Sequence, residues 1–569
     1  MPIFGQRPGS LFRGLTAIVL SGWLASTVLA ADHFGSFRDV EQAYLTGKIN
    51  RSQMLVEQAT LFFQSPTLAA GEKRAPDQII KSGTGLVREI LDNWDAFAAE
   101  QKAVLSGYLS RPGTALSYDS PGGFFKIHYN TTGPEAVPPQ DANGNSIPDY
   151  VERISQYCDS SRAVLQGRLG YYPPPSDKGV GGDDKYDIYL LSISGYGATI
   201  PEAAGDSAWD DFSSFIMIHY TMYGFPSNDD PQGDTIGAQK VSCAHEYYHA
   251  TQFAYDRYEA LWWIEASATW AEEIVFPDVN DNYNYLPYFY AAPETTLTST
   301  TGLHMYGAFV WPGFLEQRFD SSVTLKIWRK CRYFSVLDAT DSILAPYGSS
   351  VKKAFPEFTL WNHYTGYHAV PNRYFDDAGS YPSPDVDQIF STLAHDSIVP
   401  ISGPDGLACN YVRLAVDPSA RGVLEIKLSG NQLARWALTG IISRGLIDTV
   451  MTGQSPSGNP ISLYLPFIED YDTVLAIPAV TSAGLTNNHY LLKCALLPYA
   501  DANFDRAVNV GDATYLINYI FKGGQAPQPV WESGDADCDG HVNLGDAIYI
   551  VNYVFRGGPS PCAGRATAR

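Results

Sequence analysis

A chain of 569 residues is long enough for several domains at roughly 100 to 200 residues each. Its 38 basic residues against 61 acidic ones leave a net charge of −23, so a phosphate backbone or an anionic lipid surface would be repelled by most of its exterior, which excludes nucleic-acid binding as a leading class. Hydrophobic residues at 45% and charged residues at 17% place it with globular rather than disordered chains.

In chain order, Arg7 and Arg13 precede an apolar run over 15–29 that ends in Ala30 and Ala31, the pattern of a secretory signal peptide over residues 1–30. The run falls short of the roughly 20 apolar residues that span a bilayer, and no later segment reaches that length, so a secreted, extracellular protein without a membrane span is expected. Disulfides are permitted in that compartment. Among Cys158, Cys243, Cys331, Cys409, Cys494, Cys538 and Cys562, the pair Cys538 and Cys562 brackets the last predicted helix and is the first candidate bridge, with Cys409 and Cys494 the second.

Residues 31–115 space apolar positions at three and four and predict an N-terminal helical segment, either a removable propeptide or a packed layer of the next domain. Over 116–372 strand-like runs at 124–129, 186–192 and 212–223 mix with helical ones. A Pro-, Asp- and Gly-rich stretch at 371–384 marks a boundary, and short strand-like runs between 411 and 497 predict a β-sandwich over 373–498. Residues 499–569 form a last, helical unit, so the expected class is α+β and multidomain.

The most informative residues lie at 245–249, His-Glu-Tyr-Tyr-His, inside a probable helix. Residues four apart share a helical face, so both imidazoles can point at one ion while Glu246 sits within reach of a water held there. A catalytic zinc needs a third protein ligand, and Glu265, opening the later helix Glu-Ala-Ser-Ala-Thr-Trp, returns beside His249 if the two helices pack antiparallel. Thr269 and Glu272 share the face of Glu265 and can accept the outer ring N–H of a ligand histidine. The run over 212–223 is a candidate edge strand for pairing with an extended substrate.

The H-E-x-x-H motif followed by a Glu on a later helix resembles the gluzincin, thermolysin-like zinc metallopeptidases. The metzincin pattern is missing, since Tyr255 stands where its third His would fall. The resemblance, over about residues 116–370, implies a zincin-like domain that hydrolyses peptide bonds, with His245, His249 and Glu265 on zinc and Glu246 as general base. The developing oxyanion needs a donor, and His304 or Tyr306 is placed in sequence to supply it.

The C-terminal unit repeats itself. Asp501, Asn503, Asp505, Asn509 and Asp512 align with Asp535, Asp537, Asp539, Asn543 and Asp546, oxygen side chains at positions 1, 3, 5, 9 and 12 of a calcium loop, each loop leading into a helix. The twin loops resemble a type I dockerin, which implies two calcium ions and a cohesin partner; Arg506 departs from the glycine expected at position 6, where Gly540 stands in the second loop. A third loop, with Asp141, Asn143, Asn145, Asp149 and Glu152 at the same five positions, is a further candidate calcium site.

Together these features predict a secreted zinc endopeptidase acting on protein or peptide substrates and attached through a dockerin-like module to a cohesin-bearing scaffold. An aminopeptidase is disfavoured because no G-x-M-E-N motif flanks the histidines. The alternatives are an adhesion or docking protein with structural metal sites, and a dockerin-bearing component of polysaccharide degradation, for which no catalytic carboxylate pair is placed.

Overall fold

The structure is a computed structural model that describes residues 34–64, 80–445, 447–455 and 459–563. The expected signal segment, 1–30, lies outside them. Among the described residues no helix is long and apolar enough to cross a membrane.

Helix α1 (Phe37–Leu45) starts where the Ser36 side chain accepts the Asp39 amide, and α2 (Arg51–Phe63) where Asn50 and Gln53 form a reciprocal capping box. Next come β1 (Ile80–Ser82), α3 (Thr84–Asp92), α4 (Ala99–Tyr108), β2 (Leu116–Asp119), β3 (Phe125–Tyr129), α5 (Asp149–Arg162), β4 (Tyr186–Leu191), β5 (Gly195–Ala204) and β6 (Phe212–His219). The six strands make one sheet in the order β1-β5-β6-β4-β3-β2. Strands β3, β4 and β6 run parallel, β5 runs against β6, and β1 runs parallel to β5. Every residue of β4 is buried, because helices cover both faces of a largely parallel sheet. On one face lie α5 and α6 (Asp234–Gln252); on the other, Phe62 and Val87 pack on Tyr189, Phe215 and Met217.

One expectation shifts here. The run at 212–223 was expected at the sheet's edge, but β6 is central, flanked by β5 and β4, and all of it beyond Phe212 is buried. The N-terminal segment is joined to the sheet through β1, whose Ile80 and Ser82 align with Gly195 and Gly197.

Helix α7 (Leu261–Val275) lies against α6, and α8 (Leu286–Tyr290), α9 (His304–Gly307), α10 (Val310–Arg318), α11 (Val323–Cys331), α12 (Val336–Leu344) and α13 (Val351–His363) extend the same core. Buried Trp263 stacks on Trp328. Phe375, Ala378 and Tyr381 also belong to this core, so the stretch after residue 372 packs with the helices rather than opening the sandwich.

The sandwich proper begins at β7 (Gln388–Phe390) and continues through β8 (His395–Ile398), β9 (Ala408–Cys409), β10 (Val412–Ala415), β11 (Val423–Gly430), β12 (Trp436–Arg444), β13 (Ile447–Ser455), β14 (Ile461–Leu465), β15 (Thr473–Val480) and β16 (Tyr490–Leu497). One sheet runs β13-β12-β15-β10-β7 with β9 on β15, the other β14-β11-β16-β8. Val474 and Ala476 face the second sheet, while the alternate residues Leu475 and Ile477 face the helical core. Tyr411 donates to the Thr359 carbonyl of α13 at 2.8 Å. Cys409 and Cys494 sit in different sheets and are free, so the second candidate bridge does not form.

Helices α14 (Val510–Lys522) and α15 (Leu544–Arg556) pack through Ala513, Leu516, Ala547 and Ile550. A disulfide joins Cys538 to Cys562.

Candidate metal centre and calcium loops

Helix α6 carries His245, Glu246 and His249 into the core with every side chain buried. Gln252, one turn further, donates to the Ile264 carbonyl and the Ser267 hydroxyl of α7, which docks the two helices and brings Glu265 beside the histidines. The approach of β5 to α6 depends on Gly197, where a Cβ would lie 2.5 Å from Glu246 Cγ.

His245 Nε2 is 3.2 Å from Glu265 Oε2 and His249 Nε2 is 3.5 Å from it, so both rings present the same nitrogen to one carboxylate. The outer nitrogens are spoken for: His245 Nδ1 meets Glu272 Oε1 at 2.7 Å and His249 Nδ1 meets Gln252 Oε1 at 2.8 Å. Those acceptors hold the Nδ1–H of each ring, so that the Nε2 atoms are the ones turned inward. Of the two outer partners expected for the histidines, Glu272 takes the role. Thr269 does not, because its hydroxyl donates to the Glu265 carbonyl one turn back at 3.0 Å.

Burial disfavours the charged imidazole of His245, yet hydrogen bonds to Glu265 and Glu272 and the charges of Glu272 and Glu246 prevail and hold its pKa up at about 9. Burial likewise opposes an ionised Glu265, but the charge of His249 beside it and the hydrogen bond with His245 bring it down to about 2. These four groups attract a positive charge at one point. Buried polar atoms are nearly always paired. Here His249 Nε2, Glu265 Oε1 and Glu246 Oε1 are buried with no hydrogen-bond partner. Two imidazole nitrogens and a carboxylate with unused lone pairs, their ligand atoms within 4.8 Å of one another, fit a zinc ion in type, number and spacing.

Glu246 Oε2 accepts hydrogen bonds from Thr84 at 3.0 Å and Thr199 at 2.7 Å, and the other oxygen points free into the site. Tyr306 lies 6.2 Å from His245, ring to ring, and its hydroxyl donates to the Ser82 carbonyl at 3.4 Å. Burial and the charges of Glu265 and Glu246 keep that phenol protonated, its pKa well above the ordinary value. His304 faces elsewhere. Its ring lies against Phe289 in an enclosed pocket with Phe358, Leu407 and Tyr411, and burial lowers its pKa to about 4. Of the two candidate oxyanion donors, then, the structure brings only Tyr306 to the cluster.

Sequence reasoning missed Lys81, Thr84, Thr199, Gln252 and Asp281. Lys81 Nζ lies 2.8 Å from Glu272 and 2.5 Å from Asp281, all three buried, and so touches the partner of His245. No local pattern announces these contacts, because Lys81 and Thr84 come from far upstream in the chain. Gln252 alone was within reach of pattern reading, one turn beyond His249.

The three candidate calcium loops share one backbone. In the first, Asp501 accepts the amides of Asp505 and Arg506, Asn503 accepts Asp505, and Asp505 accepts Ala507. The second repeats this from Asp535 to Asp539 and Gly540, from Asp537 to Asp539, and from Asp539 to His541. The third does so from Asp141 to Asn145 and Ser146, from Asn143 to Asn145, and from Asn145 to Ile147. Positions 4 and 6 are left-handed in each: Phe504 and Arg506, Cys538 and Gly540, Gly144 and Ser146. Gly144 at position 4 is thus accommodated, while Ser146 takes the left-handed position 6.

Asp512 and Asp546 close their loops by accepting the Asn509 and Asn543 amides, and Asn509 and Asn543 cap α14 and α15. In the third loop Asp149 accepts the Ala142 amide and Glu152 reaches inward to the Asn143 and Asn145 amides. Asp501, Asp505 and Asp512 gather in the first loop and Asp535, Asp537 and Asp539 in the second, oxygen-only sets that suit calcium. Arg506 is accounted for: it reaches Glu425 of β11 at 3.0 Å and ties the first loop to the sandwich.

No curated protein matches the chain. Residues 499–555 match the type I dockerin domain, and with their paired calcium loops they form one.

Proposed function

We propose that the protein is a zinc-dependent endopeptidase that a dockerin module attaches to a cohesin-bearing scaffold outside the cell. The observation that carries the first half is the buried convergence of His245 Nε2, His249 Nε2 and the Glu265 carboxylate, with His249 Nε2 and one Glu265 oxygen lacking any hydrogen-bond partner, beside a Glu246 oxygen that is equally free. Bound there, zinc would supply Lewis acidity and a water of lowered pKa. Glu246, held through one oxygen by Thr84 and Thr199, keeps the other to take a proton and return it to a leaving amine. Tyr306 stays protonated and can donate to a carbonyl oxygen developing negative charge. Glu272 and Gln252 fix the two imidazoles in the tautomer that ligation needs. The resemblance to gluzincins supplies the same assignment of roles.

The second half rests on the dockerin match, which implies a cohesin partner and is typical of extracellular or surface-attached proteins. The loop at 141–152, wired like the two dockerin loops, would take a third calcium.

The test is zinc content and casein hydrolysis in calcium buffer, before and after limited proteolysis, for the native chain and for Glu246→Gln. One zinc per chain in both proteins, with hydrolysis lost in the variant, is the expected result. A chain that takes up no zinc and stays inactive after cutting would leave the non-catalytic docking reading in its place.

A further inference from the structure

The centre is covered by its own chain. His245, Glu246, His249 and Glu265 are at most 1% exposed, and what closes over them is the stretch from β1 into α3. The Gly83 amide donates to the Gly197 carbonyl of β5, the Ser82 carbonyl receives the Tyr306 hydroxyl, Thr84 sits on Glu246, and a Cβ on Gly85 would lie 3.4 Å from Glu265 Oε1. Without β1, the edge of the sheet beside α6 would be β5, with its backbone groups open to an added strand. A backbone carbonyl of β1 therefore already occupies the place where Tyr306 can donate.

We propose that β1 is a built-in occupant of the peptide groove, and that the pocket now holding Lys81 takes the basic side chain, lysine above all, of an incoming extended polypeptide. The inference rests on reading the centre as a peptidase site and names its substrate class and its latency. The pocket is built for a cation: Lys81 Nζ lies between Glu272 and Asp281, 4.4 Å from the ring centre of Tyr196 and 5.2 Å from that of Tyr285. Two buried carboxylates face one ammonium, so an uncharged occupant would leave Asp281 with no counter-charge and Glu272 with His245 alone. The cover is also a unit in itself. Leu55, Ala59, Ile90, Phe97 and Leu105 form a core from residues of the N-terminal segment alone, which allows the segment to leave as a body. If β1 were instead the permanent edge, substrate would add on its outer side, in the open cavity bounded by Phe37, Leu86, Tyr288 and Tyr306.

The experiment uses the full chain with a specific protease site inserted at exposed Gly113, and the probe is a fluorescent peptide of residues 80–86, Ile-Lys-Ser-Gly-Thr-Gly-Leu, beside its methionine-for-lysine analogue. The uncut chain should bind neither, and the cut chain should bind the lysine peptide about 100-fold tighter by anisotropy. Binding of the lysine peptide by the uncut chain, or equal or no binding by the cut chain, overturns the proposal. Should cutting unfold the protein, amide exchange in uncut Lys81→Met decides: release of residues 80–85 alone, about tenfold faster while β4 and β6 hold, is expected, and acceleration of all three together marks Lys81 as merely structural. Zinc content separates the two readings. A zinc-loaded chain indifferent to the peptides sinks the groove and keeps the metal, and a zinc-free chain that selects lysine does the reverse.

Discussion

Glu272 has two obligations, with one oxygen on His245 and the other on Lys81. Replacing it by Gln keeps the shape but removes the charge that both partners use. Glu272→Gln should weaken zinc binding about 10- to 100-fold, read by chelator competition on folded protein. Tyr306→Phe should lower kcat about 100-fold with little change in KM, because the lost donor serves the developing oxyanion; an unchanged kcat would remove Tyr306 from the reaction. Glu273 gives a pH test away from the ligands. Burial raises its carboxyl to about 7, against the bond from Asn282 and with help from Asp377, Glu272 and Asp278. A carboxyl whose folded pKa lies above its ordinary 4.5 stabilises the fold fully below 4.5 and loses that contribution as pH rises through about 7. Glu273→Gln should therefore melt higher than the native chain at pH 8 and show no such advantage at pH 4. At this scale the histidines and Glu246 were legible because helical spacing alone sets them on one face, whereas Lys81, Thr84 and Thr199 owe their places to strand pairing that no local pattern contains.

Among the elements, those with a strong period were readable and those with broken texture were not. The runs at 124–129 and 186–192 became β3 and β4, but β5 carries Gly195, Gly197 and Pro201 and looks like a loop until its partners are known. The three residues of β1 are too few to show any period. Yet β5 touches Glu246 through Thr199, and β1 with the start of α3 closes the site. The calcium loops were legible because oxygen side chains at fixed positions carry the whole signal, and what the sequence left open was why Arg506 stands at a left-handed position. The structure answers with its bond to buried Glu425. Arg506→Gly should relieve the backbone, leaving calcium affinity of the first loop equal or higher, while loosening the dockerin from the sandwich; titration calorimetry and faster amide exchange in β11 would report the two halves separately. Lower calcium affinity in the glycine variant would contradict this account.

On the scale of the whole molecule, the helical core and the sandwich share packing through β12 and β15, and the dockerin domain adjoins the sandwich through a smaller patch of Val423, Leu497 and Tyr499 with Phe504 and Val530. Its own core is slight, little more than Ala513, Leu516, Ala547 and Ile550 between two helices. Such a unit cannot bury enough apolar surface to order two loops crowded with carboxylates. Burial and mutual repulsion raise Asp501, Asp512, Asp535 and Asp546, so the folded loops hold their charges at a cost that a bound cation removes. Chelation of calcium should therefore unfold the C-terminal domain as a separate low-temperature transition while the main transition, belonging to the helical core and sandwich, moves little. The Cys538–Cys562 bridge closes the second loop onto the end of the chain and should keep that half more ordered than the first in chelator. Scanning calorimetry with and without calcium, with tryptophan fluorescence of Trp531 against Tyr519 reporting the local event, tests this directly. A single transition that shifts as one on chelation would mean that the three parts fold as one cooperative unit and that the patch around Tyr499 is stronger than its size implies.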